Sequence, residues 1–171
     1  MLKINEYVMR FFILLALTLY AATGFAQKSV PDIDFKSLDG KTVNLKDYAA
    51  NGKITVISFW ATWCSPCKKE LDAIADLYPD WQKKYDVELL AITIDTPRAL
   101  ASKVPGIVEA KSWEYEVLSD QNQELQKALD FQTVPQTFII DKEGNIVYDH
   151  AGYTPGDEYE LEDKIKALAE K

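Results

Sequence analysis

The most informative stretch of the sequence spans residues 59–70 and reads FWATWCSPCKKE. It contains the only two cysteines of the chain, Cys64 and Cys67. Residues 54–60, which lead into it, are uncharged and mostly β-branched or aromatic, a composition typical of a buried strand. An apolar series with helical spacing follows. The cysteine pair therefore lies where a buried strand passes into a helix.

The helix after the pair carries one apolar stripe. Its members follow one another at steps of four, three and four residues, and they are Cys67, Leu71, Ile74 and Tyr78. At about 100° per residue, Glu70 falls roughly 60° away from this stripe, on its flank. Pro79 is expected to kink or interrupt the helix, because proline lacks a backbone N–H and its ring clashes with the preceding turn.

This placement gives the two cysteines unequal chemistry. Cys64 lies at the helix N-terminus, where unpaired N–H groups and the helix dipole stabilise a thiolate and lower the thiol pKa below about 8.5. Pro66 is tolerated in the first turn. We expect Cys64, exposed and activated, to form a mixed disulfide with a substrate, and the buried Cys67 to resolve it. The alternative is a structural disulfide, which stabilises weakly when it closes so short a loop.

Composition excludes several function classes. Two cysteines and one histidine, His150, cannot supply the four ligands of a structural zinc site. Two cysteines can form only one internal bond, which excludes a multi-bridge disulfide scaffold. The net charge of −8 argues against a nucleic-acid partner. We predict no metal site and no cofactor.

The first 26 residues have the pattern of a secretory signal peptide. Lys3 and Arg10 precede an uncharged run over residues 11–22, and small residues follow at 24 and 26. The run is shorter than the ~20 apolar residues of a membrane-spanning helix. We therefore predict a signal peptide over 1–26 and a domain over 27–171, exported to the periplasm, where disulfides persist. The alternative is an uncleaved membrane anchor.

Loss of that segment would remove two basic residues and one acidic residue. The remaining 145 residues would carry 17 basic and 26 acidic side chains, for a net charge of −9. Such a chain offers no polybasic patch to an anionic membrane surface.

The rest of the chain alternates strand and helix patterns. The predicted strand regions are a hairpin around residues 39–40, a buried strand at 87–94, a short strand at 113–118, and a hairpin of 137–140 with 146–148. The predicted helices are 98–112, disturbed at Pro105, one after an Asp120–Gln123 capping box, and one from Thr154. This order predicts an α/β fold, with a mixed central sheet, helices on both faces and an N-terminal β-hairpin.

The sequence resembles the thioredoxin superfamily and, more narrowly, the exported TlpA-like or ResA-like thiol-disulfide oxidoreductases. Residues 59–70 carry this resemblance together with residues 133–138, TVPQTF. It implies a thioredoxin-like fold over nearly all of the mature chain, with Cys64 and Cys67 as the redox-active disulfide. It also implies a cis Val134–Pro135 peptide facing the cysteines. The substrate-binding residues would be Trp63, Pro66, Val134 and Pro135.

Two departures from cytoplasmic thioredoxins are informative. Those proteins have a buried aspartate where this chain has Ser58, and a partner lysine where it has Ala91. Similar exported members have a glutamate three residues after the second cysteine, and Glu70 matches it. The resemblance implies that Glu70, partly buried with a raised pKa, accepts or returns the proton of Cys67. The alternative is a solvated first-turn glutamate that interacts with the helix dipole.

The resemblance also implies a direction of electron flow. Because no histidine lies between the cysteines, it favours a reductase of disulfides in exported proteins, either apocytochrome c or other cysteine pairs. A membrane electron donor would restore the reduced form. A thiol peroxidase is one alternative, although Thr62 lies two residues before Cys64 rather than three. A copper(I) chaperone that uses both cysteines and His150 is another, although its cysteines are usually separated by three residues.

Overall fold

The computed structural model describes residues 29–170. The predicted signal peptide, residues 1–26, lies outside this range. Between residues 29 and 170, no helix combines the length and the apolar character needed to cross a membrane.

The strands form one mixed sheet. Within residues 29–170 they are β1 (Asp34–Ser37), β2 (Thr42–Asn44), β3 (Ile54–Trp60), β4 (Val87–Thr93), β5 (Glu116–Ser119), β6 (Gln136–Ile140) and β7 (Ile146–Ala151). Their order across the sheet is β2-β1-β5-β4-β3-β6-β7. β4 pairs in parallel with β3 and β5, and the other neighbours are antiparallel. The predicted mixed sheet and N-terminal hairpin are confirmed.

The helices pack on both faces of this sheet. They are α1 (Leu45–Ala49), α2 (Ser65–Tyr85), α3 (Pro97–Ser102), α4 (Val104–Lys111), α5 (Glu124–Leu129) and α6 (Asp157–Ala169). Because side chains alternate along a strand, β3 contributes to two cores. Ile54 and Trp60 pack with α2 and α6, whereas Ile57 and Phe59 pack with α1 and α5. The central strand is buried on both sides, as predicted.

The structure corrects two expectations about proline. α2 continues through Pro79 as one helix, so the predicted interruption is wrong. Trp81, just beyond the proline, is fully buried, and this packing offsets a mid-helix proline penalty of about 3 kcal/mol. The break in the 98–112 region lies at Lys103. Pro105 itself is in the first turn of α4, where no backbone donor is needed.

The predicted capping box before α5 is also wrong. The Asp120 carboxylate accepts hydrogen bonds from the N–H groups of Glu124, Leu125 and Gln126, at 2.9–3.2 Å. Gln123 has a left-handed backbone with a φ of 56° and makes no side-chain capping bond. Asp120 alone therefore caps this helix, because the tight turn at Gln123 brings the carboxylate under three free N–H groups.

Two elements begin three residues later than the sequence predicts. The strand expected over 113–118 begins only at Glu116, because Trp113 packs edge-on against Trp60, at 5.1 Å between ring centroids. The last helix begins at Asp157 rather than Thr154. The Thr154 N–H donates to the Asp157 carboxylate at 2.7 Å, so residues 154–156 form a turn that leads into the helix.

Candidate active site

The cysteines lie at the junction of β3 and α2, as predicted, and are joined by a disulfide. Cys64 is the N-cap residue of α2. Its Sγ accepts a hydrogen bond from the Cys67 N–H at 3.2 Å. A free donor of the first helical turn therefore points at the sulfur, which is the geometry that stabilises a thiolate once the disulfide is reduced.

The exposure of the two cysteines differs less than expected. Cys67 is fully buried, as predicted, but Cys64 is only 4% exposed, so the expectation of an exposed Cys64 is wrong for the disulfide form. The sulfur of Cys64 is turned toward the helix and lies 3.7 Å from the carbonyl oxygen of Val134. Because a disulfide sulfur has no hydrogen to donate, this is a packing contact that covers the bond.

The loop before β6 closes over the cysteines. The Val134–Pro135 peptide is cis, which confirms the prediction. The carbonyl of Pro135 accepts a hydrogen bond from the Gly152 N–H at 2.9 Å, which ties this loop to the end of β7. Val134 is half-buried and Pro135 is buried.

An exposed surface borders the disulfide on its other side. Trp63, directly before Cys64, is 69% exposed and Pro66 is exposed as well. Trp63, Pro66 and Val134 are thus at least partly exposed, whereas Pro135 is buried. A large aromatic side chain therefore precedes Cys64 in the chain, and the Val134 carbonyl lies near its sulfur.

Glu70 is the buried titratable group behind the cysteines. It is 4% exposed, so the alternative of a solvated glutamate is wrong. Its two carboxylate oxygens accept hydrogen bonds from the hydroxyls of Ser58, at 2.9 Å, and Thr137, at 2.7 Å. Burial raises the pKa of Glu70 to about 7, and the two hydroxyls limit the rise. The predicted raised pKa of a buried carboxylate is confirmed.

The strand register explains why Glu70 occupies this position. Ser58 lies directly opposite Ala91 in the β3–β4 pair. These are the two positions where the resemblance places an aspartate–lysine pair in cytoplasmic thioredoxins. Small side chains at both leave room above β3, and the Glu70 carboxylate reaches Ser58 from α2.

Sequence reasoning missed Asp95, which holds the segment before the cysteines. Its buried carboxylate accepts hydrogen bonds from the Thr62 N–H at 2.7 Å, the Thr62 hydroxyl at 2.9 Å and the Thr93 hydroxyl at 2.7 Å. Lys68 Nζ donates to the Thr62 carbonyl at 2.8 Å. An acidic residue directly after a buried strand was the available signal, but its partner lies 33 residues away.

His150 does not lie with the cysteines in a metal-binding group. Its Nε2 is 3.3 Å from Asp157 Oδ2. Across residues 29–170, no group of three or more histidine, cysteine, aspartate or glutamate side chains could hold a metal ion. The donor set of the copper-chaperone alternative is therefore not assembled in the disulfide form.

Comparison with known proteins agrees with this geometry. The sequence profile of the AhpC/TSA family matches residues 26–149. The chain is 33% identical over 159 residues to a thiol-disulfide oxidoreductase ResA from Geobacillus thermodenitrificans, covering 85% of this chain and 87% of that protein. It is 30% identical over 141 residues to a ResA from Bacillus thuringiensis subsp. konkukian, covering 82% and 77%.

Solved structures show the same fold. An uncharacterised thioredoxin-like protein from Porphyromonas gingivalis is 41% identical, with a TM-score of 0.73 over 84% of this chain and 94% of that one. A thioredoxin-family thiol:disulfide interchange protein from Chlorobium tepidum TLS is 20% identical, with a TM-score of 0.69 over 86% and 99%, and supports the fold alone. The chain belongs to the thioredoxin-like AhpC/TSA family and is a thiol-disulfide oxidoreductase.

Proposed function

We propose that the protein is an exported reductase, which donates electrons from the dithiol form of Cys64 and Cys67 to disulfides in other exported proteins. The observation that carries this proposal is that a single hydrogen-bond donor, rather than several, faces the Cys64 sulfur. In residues 29–170, the Cys67 N–H is its only hydrogen-bond donor, and the nearby Lys68 donates to a carbonyl instead. Strong oxidants of this type have a strongly stabilised reduced form.

The proposed reaction begins at Cys64. Its thiolate attacks one sulfur of the substrate disulfide, so that a Cys64–substrate bond forms and the substrate S–S bond breaks. The other substrate sulfur leaves with the bonding electron pair and takes up a proton. Trp63, Pro66, Val134 and Pro135 form the groove that holds the substrate chain during this step.

Cys67 completes the reaction with the help of Glu70. Cys67 transfers its thiol proton to the Glu70 carboxylate, and the resulting thiolate attacks Cys64 Sγ. The internal disulfide closes, and the second substrate sulfur leaves and takes up a proton from solvent. The cysteine pair thereby loses two electrons and the substrate gains two. A carboxyl whose pKa lies near 7 can both accept and return this proton at neutral pH.

The sequence pattern of residues 1–26 supports a location of the protein outside the cytoplasm. We propose that residues 1–26 direct export and are removed, so that the mature domain begins at Gln27 in the periplasm. Its substrates would be cysteine pairs of exported proteins, including the haem-site cysteines of apocytochrome c, and a membrane electron donor would restore the dithiol. Amino-terminal sequencing of the exported protein checks the boundary, and a leader retained at the N-terminus contradicts it.

The direction of electron flow is tested by the reduction potential. Equilibration of the Cys64–Cys67 pair with glutathione buffers should give a potential near that of thioredoxin, about −270 mV. A potential near that of strong thioredoxin-like oxidants, about −120 mV, would contradict the proposal. Quantification of free thiols after acid quenching reports the equilibrium directly, and the Cys64→Ser variant supplies the baseline.

The peroxidase alternative is less well supported by the site. The Thr62 hydroxyl donates to Asp95 at 2.9 Å and is therefore engaged away from the cysteine sulfur. A peroxide approaching Cys64 would also contact the exposed side chain of Trp63, the preceding residue. Rapid consumption of hydrogen peroxide by the reduced protein, lost in Cys64→Ser, would restore this alternative.

A further inference from the structure

A narrow cleft connects the Glu70 carboxylate with the surface between β7 and α6. The side chains that matter for its chemistry are Glu70, Thr137, Tyr148, His150, Asp157 and Glu158. The cleft is narrow, with room for roughly one water molecule. Neither cysteine is among the residues that line it.

His150 lies at the outer part of this cleft. It is paired directly with Thr137 across β6 and β7, and the Thr137 hydroxyl donates to Glu70 at 2.7 Å. On its other side, the imidazole Nε2 is 3.3 Å from the Asp157 carboxylate. The His150 side chain is 34% exposed. It therefore lines the same cleft as the buried carboxylate and is partly exposed to solvent.

The other charged and titratable groups around the cleft are carboxylates, tyrosine hydroxyls and the amine of Lys164, which does not line the cleft. Glu158 from α6 accepts hydrogen bonds from the Tyr153 hydroxyl at 3.0 Å and the Gly156 N–H at 2.9 Å. Tyr148 of β7 has the Lys164 amine 6.0 Å from its ring centroid. Tyr115 donates its hydroxyl to a backbone carbonyl of α2. Of the residues lining the cleft between positions 29 and 170, only His150 can carry a positive charge.

The charges at the mouth of the cleft act on Glu70 in opposite directions. A positive charge on His150 lowers the pKa of Glu70, and the negative charge on Asp157 raises it. The side chain at position 150 therefore sets part of the charge that Glu70 faces in the cleft.

We propose that His150, anchored by Asp157, is a positioning residue of the resolving step, which controls when Glu70 holds a proton and passes that proton to solvent. This inference rests on the proposed role of Glu70 as the proton acceptor of Cys67. After Cys67 transfers its proton to Glu70, the proton leaves the carboxyl group through the cleft, past His150, to bulk solvent. Re-reduction of the disulfide draws a proton back along the same route.

Two substitutions separate this electrostatic role from a structural one. His150→Gln removes the positive charge, whereas His150→Lys makes it permanent, and both alter the same packing. The expected titration midpoint of the Glu70 carboxyl, followed by carbon-13 NMR of labelled oxidised protein, rises by roughly half to one pH unit in His150→Gln. It falls below the wild-type midpoint in His150→Lys. Lys166→Gln, which removes an exposed positive charge from α6, leaves it unchanged.

The pH dependence of the resolving step should shift in the same direction as the titration midpoint of Glu70. Reduced protein mixed with dithiobis(nitrobenzoate) releases one coloured thiolate when Cys64 is modified and a second when Cys67 closes the disulfide. The pH at which the second phase is half-maximal should rise in His150→Gln and fall in His150→Lys. Shifts of the same sign in both variants, or an unmoved Glu70 midpoint in His150→Gln, would overturn the inference. If Glu70 is not the proton acceptor of Cys67, the second phase is unchanged in Glu70→Gln. That outcome is distinct from the outcomes that test His150.

Discussion

Replacing Cys64 by serine is expected to lower disulfide reduction by about a thousandfold or more, because the hydroxyl cannot replace the thiolate that attacks the substrate. Turnover of insulin disulfides with a chemical reductant measures the effect. Ser65→Ala is a matched control, since it changes the exposed neighbouring residue and leaves both thiols in place. It should retain most of the wild-type turnover.

Replacing Cys67 by serine should stop the same reaction at a later point. Cys64 still attacks and releases one substrate thiol, but the mixed disulfide accumulates because no second thiolate closes the internal bond. Mass spectrometry should show the protein covalently joined to substrate in Cys67→Ser and not in Cys64→Ser. The reverse pattern would exchange the roles of the two cysteines, and adduct formation by neither variant would exclude the proposed cycle.

Replacing Glu70 by glutamine is expected to stabilise the oxidised protein at alkaline pH by about 3 kcal/mol. The pKa of Glu70 is about 7 in the folded state, against 4.5 for a glutamate free in solution. Between those values the folded protein holds a proton that the unfolded chain has lost. Wild-type stability therefore falls as pH rises from about 4.5 to about 7, by about 1.4 kcal/mol per pH unit. Glutamine resembles the protonated carboxyl and lacks this dependence.

Urea unfolding at pH 4.5, 6 and 8 measures this difference. The wild-type protein and Glu70→Gln should have similar free energies of unfolding at pH 4.5 and differ most at pH 8. Glu160→Gln, which changes an exposed glutamate of α6, should show no such pH-dependent difference. A difference between wild type and Glu70→Gln that is equal at all three pH values would mean that Glu70 does not titrate in this range.

The same substitution should impair the chemistry. Without a carboxylate to accept the Cys67 proton, closure of the internal disulfide should slow by about a hundredfold, the lower range of general acid–base catalysis. Its pH dependence, and the pKa values of both thiols, should change as well. Glu70 thus lowers the stability of the folded protein at neutral and higher pH and supports the proposed reaction, a trade-off that is common at active sites.

Much of the fold could be predicted because its signals are local. The run of residues 54–60 predicts β3 with the observed ends, and the stripe from Cys67 to Tyr78 predicts the buried face of α2. Alternation and helical periodicity are set by residues a few positions apart, so one sequence is enough to show them. The position of the cysteine pair at a helix N-terminus follows from the same patterns.

The effect of proline on the helices could be predicted only with the tertiary structure in hand. Pro79 has a strong local tendency to end a helix, yet α2 continues because Trp81 is buried in the core beneath it. The late start of β5 likewise accompanies the packing of Trp113 against Trp60. Local propensity predicts these boundaries poorly, since burial of a large side chain is comparable in free energy with the local penalty.

The environment of the site depends on contacts distant in sequence. The resemblance identified Glu70, but its burial depends on Ser58 and Thr137, which β3 and β6 bring to α2. His150 lies 80 positions after Glu70, and the β6–β7 pairing brings them to one cleft. The sequence alone thus predicted the cysteine pair at the start of a helix, because that placement depends on neighbouring residues. The protonation of Glu70 was decided only by the tertiary structure, since burial and facing charges come from separate elements.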